Sequence, residues 1–65
     1  MKNVKNGKIN AVVFCANNIV EQDMGEKEKY AFLRWCYDRF ELTGIVKRKH
    51  FYDLVNLRIA HIMGV

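Results

Sequence analysis

Apolar residues recur every three or four positions along most of the chain, and the recurrence breaks at two places, Asp23-Met24-Gly25 and Thr43-Gly44. In the first segment Ile9, Val12, Val13, Ala16, Ile19 and Val20 fall on one stripe when successive residues are turned by about 100°, with Asn10, Asn17, Asn18 and Glu21 opposite. That pattern predicts a helix over about residues 8–22. The valines and the Asn6-Gly7 pair also admit a short N-terminal β-hairpin, although Met1 and Val4 are three apart and break a period of two.

The second segment, about 26–42, reads as a helix with two apolar sides. Tyr30, Leu33, Cys36, Tyr37 and Phe40 make one seam, and Ala31, Phe32, Trp35 and Leu42 lie roughly across from it. Glu26 and Glu28 favour the first turn, where the helix dipole attracts negative charge. The third segment, about 46–63, has its main stripe at Phe51, Tyr52, Val55, Ile59 and Ile62, with a second ridge at His50, Leu54, Leu57 and His61. The fold class is therefore all-α, a small three-helix bundle, with Val12, Val13, Ala16, Leu33, Cys36, Phe40, Val55 and Ile59 as its expected core. Residues 1–65 form one domain, and 1–7 read as a flexible basic arm.

A chain of 65 residues buries only about 60% of its unfolded surface, yet 51% of this one is hydrophobic and 12% aromatic. Three short helices cannot easily hide that much apolar surface, so the surplus points to a patch or to a homodimer interface. Cys15 and Cys36 lie beside apolar helical positions and lack the close spacing of a metal site, which favours buried free thiols in a cytoplasmic protein, with one disulfide as the less indicated alternative. The apolar run Ala11–Ala16 is too short for an export core or a membrane span, so no membrane contact is expected.

Charge is unevenly spread. Of the net charge of +4, residues 45–65 hold +3, from Lys47, Arg48, Lys49 and Arg58 against Asp53. The first three stand at the expected start of the last helix, where each exposed cation is disfavoured by about 0.3–1 kcal/mol. Backbone N–H groups and cationic side chains together suit a phosphate, which would turn that repulsion into attraction. The competing reading is a solvated loop, with the helix starting a turn earlier or later. Arg34 and Arg39 have Asp38 and Glu41 nearby, which favours local ion pairs over an extension of the patch.

A helix–turn–helix reading fits the order of the elements only. With Gly44 in the turn, Phe40 occupies a position that normally takes a small residue, and His50 and Asp53 occupy positions that should be apolar. His50 and His61 are eleven residues apart, about 16 Å along one helix, so they cannot share a zinc ion from the same chain. Two antiparallel copies of the last helix would bring His50 of one near His61 of the other, a pH-sensitive dimer. Serine is absent, there is no glycine-rich phosphate loop and the acids are dispersed, so neither an enzyme nor a cofactor is indicated.

Two functional readings follow. The first is a small regulatory protein that binds nucleic acid through Lys47, Arg48 and Lys49, aided by Arg58 and by Lys2, Lys5 and Lys8. The alternative is an adaptor or inhibitor that presents Phe32, Trp35 and Arg39, or Leu54 and Leu57, to a larger protein. Either role suits a small factor of the kind that phages and mobile elements encode.

Overall fold

A computed structural model describes residues 4–64, with side chains from Ile9 onward. The chain folds as three helices, α1 (Val4–Glu21), α2 (Glu26–Arg39) and α3 (Arg48–Met63), with no strand among the described residues. The N-terminal hairpin alternative is thereby excluded over these residues. Helix α1 already includes Lys5 and Lys8, so the segment read as an arm is helical from Val4, while Lys2 lies outside the described residues.

Helix α1 packs against both of the others, more extensively against α3 than against α2. Its fully buried residues are Ala11, Cys15 and Ala16, with Ile19 nearly so. The buried face is turned by roughly 80° from the aliphatic stripe read in the sequence. Ile9 is exposed, and Val12, Val13 and Val20 are only half-buried. Small side chains sit where helix axes approach most closely, and the aliphatic residues flank that line.

Both α1 and α2 end in a Schellman motif whose left-handed position is held by an acid instead of glycine. After α1, Met24 N–H donates to Ile19 C=O and Asp23 N–H to Val20 C=O, with Asp23 at φ 48°. After α2, Leu42 N–H donates to Tyr37 C=O and Glu41 N–H to Asp38 C=O, with Glu41 at φ 53°. Helix α2 therefore stops three residues before the expected limit of 42, and Gly44, at φ 86°, shapes the following loop without terminating the helix. The turn drives Leu42 and then Val46 into the core. Leu42 C=O accepts from Ile45 N–H and Val46 N–H, and the Tyr37 hydroxyl donates to Val46 C=O over 2.6 Å.

Phe51, Leu33, Leu42 and Val55 are the largest fully buried side chains. Ala16, Leu33, Cys36 and Val55 of the expected core are buried, whereas Val12, Phe40 and Ile59 pack at its margin. The free-thiol expectation is corrected: Cys15 and Cys36 are joined in a disulfide, with Cα atoms 6.7 Å apart. Spacing along the chain carries no information about pairing. Once α1 and α2 lie side by side, the two residues meet within the reach of a disulfide. The bridge supplies the covalent staple that so small a core calls for. It also removes the cysteine argument for a reducing compartment, since disulfides persist mainly in oxidising ones.

Candidate functional site

Two surface regions carry the residues singled out in the sequence, and they lie on different sides of α2. The first is the start of α3. Lys47 is the N-cap residue, with extended backbone (φ −69°, ψ 145°) and no side-chain cap, and no acid occupies the first turn. The N–H groups of Arg48, Lys49 and His50 precede the first intrahelical bond, which runs from Phe51 N–H to Lys47 C=O. All four residues from Lys47 to His50 are exposed.

Because consecutive residues are turned by about 100°, Lys47, Arg48 and Lys49 ring the helix end instead of lining one side of it. Arg48 is steered by an aromatic contact, its guanidinium carbon lying 5.5 Å from the centre of the Tyr37 ring. None of the three cations forms an ion pair among the described residues, where Lys29 with Glu26 is the ion pair present, at 3.7 Å. Arg34 and Arg39 also lack one there, so the local pairs expected with Asp38 and Glu41 do not form. Arg58 is exposed but stands ten residues further along α3, about 15 Å from Arg48 along the axis. It does not join the cluster, and Lys2, Lys5 and Lys8 have no described side chains with which to do so.

The outward side of α3 carries His50, Asp53, Leu54, Leu57 and His61, with Leu57 68% exposed. This is the second ridge read in the sequence; His50, Leu57 and His61 stay on the surface, and Leu54 is half-buried. Its chemistry is apolar and mixed in charge, which does not suit a helix lying in a DNA groove. Among the described residues no group of three or more histidine, cysteine or acidic side chains converges as a metal site.

The second region is an aromatic strip across α1 and α2. Trp35 stacks on Phe32 with ring centres 5.6 Å apart, Phe32 lies 6.2 Å from Phe14, and Phe14 meets Phe40 edge-on at 5.5 Å. Trp35 is 50% and Phe14 42% exposed, so the strip is a surface feature and not a second layer of core. Phe14 escapes a reading of the sequence because it falls outside the aliphatic stripe of α1. Four phenylalanines in so short a chain are the available signal. Tyr37, which holds Arg48, is turned about 160° around α2 from Trp35, so Trp35 and the basic end face away from each other.

Comparisons with known proteins give no relative: no family model, no curated protein and no solved structure matches the chain. Among the described residues, no helix is long and apolar enough to cross a membrane.

Proposed function

We propose that the protein binds nucleic acid by its phosphate backbone, end-on, at the start of α3. The observation that carries this reading is the presence of three exposed cations around an uncapped helix N-terminus with no acid in its first turn. Each cation there opposes the helix dipole, and among the described residues Arg48 alone of the three has a compensating contact, with the Tyr37 ring. A phosphate oxygen reverses the sign: it accepts from the open N–H groups and pairs with whichever cation lies nearest.

The ring-like placement of Lys47, Arg48 and Lys49 suits three neighbouring phosphates, one to each cation, and the neighbouring side of α3 carries Asp53, Leu54 and Leu57 where base-reading side chains would be needed. Binding is therefore largely independent of sequence. Three phosphate contacts predict that affinity for a generic DNA duplex falls about 40-fold between about 50 and 200 mM salt. Titration of a labelled duplex at the two salt concentrations tests this, and affinity that does not respond to salt refutes it. The partner on this reading is DNA or RNA, and no catalytic step or cofactor is assigned.

A further inference from the structure

We propose that a second copy of this chain covers the outer face of α2, the two helices running antiparallel with Trp35 of each copy packed against Ala31 of the other. The site is independent of the basic end of α3, which lies on the far side of α2 and stays open in such a dimer.

The apolar centre is in place. Trp35 is half-exposed and already stacked on Phe32, and Ala31, also exposed, lies beside it on the same face. A small residue at a helix crossing permits close approach of the two axes. Large aromatic area around a close contact is the usual composition of an interface centre.

What commits the face to a second copy is the arrangement of its charges. Glu28 and Arg39 are eleven residues apart, three turns of helix, and so share one side of the seam that Ala31 and Trp35 define, to within about 20°. Lys27 and Asp38 are also eleven apart and share the other side. When two identical helices pack antiparallel about a two-fold axis, each side of the seam meets the same side of the partner helix. Glu28 then faces Arg39 of the second copy, and Lys27 faces Asp38, each contact occurring twice. All four side chains are exposed, and none is held by an ion pair among the described residues. Glu28 accepts a hydrogen bond from Gly25 N–H at 3.2 Å through one carboxylate oxygen, which leaves the other for the partner. Antiparallel helix dipoles add to the preference.

The outward ridge of α3 lacks this self-complementarity. An antiparallel pair centred between Leu54 and Leu57 would set Asp53 on the same side as the second copy's Asp53, and Arg58 likewise beside Arg58.

Sedimentation equilibrium of the full chain from about 1 μM to about 1 mM tests the proposal, with Trp35→Ala and three charge variants alongside. The wild type should pass from monomer to dimer within that range, and Trp35→Ala should remain monomeric. Lys27→Glu and Asp38→Lys should each weaken the dimer about tenfold, because each sets like charges against each other twice. Both changes suit the helix dipole, so neither works by unfolding α2. The double variant Lys27→Glu/Asp38→Lys should recover wild-type dimerisation, since the two exchanged charges again meet their opposites across the antiparallel pair. Parallel packing would set the introduced carboxylate beside Glu28 and the introduced ammonium beside Arg39, and would not recover. A wild type that stays monomeric at about 1 mM, or a double variant no better than the singles, overturns the proposal.

Discussion

The start of α3 and the outer face of α2 are both exposed, and both carry residues that contribute little to the fold, but for different reasons. At the start of α3 the cost is electrostatic: like charges crowd a helix end of the same sign, and removing Lys47 or Lys49 should help the monomer. On α2 the cost is hydration of aromatic surface, and Trp35 recovers part of it by stacking on Phe32. The difference teaches that the two sites are separable by experiment. Changes at one should move binding and stability in opposite directions, and changes at the other should move association with little effect on helicity.

The largest expected effect separates the basic end from its root. Phe51 begins one turn inside α3 and is fully buried against Tyr37 and Tyr52. Phe51→Ala should cost about 3–5 kcal/mol and unfold much of the population, as a urea titration followed by circular dichroism would show. Retention of wild-type stability would mean that α3 is anchored elsewhere. The next effect concerns α2. Removing the staple with Cys15→Ala/Cys36→Ala, two residues separated by 21 positions, should cost about 3 kcal/mol through the freedom returned to the unfolded chain, read from the same titration.

The comparison itself is sharpened by Trp35→Ala and Lys47→Asp. Trp35→Ala should lower monomer stability by only about 1 kcal/mol, the worth of an exposed aromatic stack, and a loss of several kcal/mol would return Trp35 to the core. Lys47→Asp places a good cap and a negative charge at the N-terminus of α3, and should raise stability by about 1 kcal/mol while weakening nucleic-acid binding. A variant that gains or loses both together would break the distinction between the two regions. Smallest of all, Asp23→Gly and Glu41→Gly should each add about 0.5 kcal/mol, because glycine relieves the left-handed backbone at φ 48° and 53° and returns part of that gain as chain entropy. Thermal melts at matched concentration resolve shifts of that size.

Much of the fold was legible because helical periodicity is a strong local signal. The two breaks, the inner seam of α2 at Leu33, Cys36 and Tyr37, the inner stripe of α3 at Phe51 and Val55, and the outward ridge at Leu57 all follow from spacing. What spacing could not carry is what depends on neighbours. Ala11 and Cys15 are buried because another helix passes close to them, and the larger aliphatics of α1 point in a direction turned away from that contact. Leu42 and Val46 enter the core from a loop, where no period exists to announce them. The acids at Asp23 and Glu41 hold a conformation usually given to glycine, so the sequence points to Gly44 as the stop. Of the candidate sites, the exposure of Lys47, Arg48 and Lys49 was readable from their charge, whereas Arg58 falls into the same group only through proximity in sequence. For Trp35 the spacing admits both core and surface, and the number of helices available to cover α2 decides in favour of the surface.

The salt dependence of duplex DNA binding, compared across three forms of the chain, tests the central claim most directly. Lys47→Ala/Arg48→Ala/Lys49→Ala should flatten the slope of log K against log salt by about 2.7 per bound chain. Trp35→Ala should leave that slope unchanged, because its face lies on the other side of α2. A triple variant with the wild-type slope, or a wild type that fails to bind the duplex at low salt, would contradict the assignment of the α3 end to phosphate.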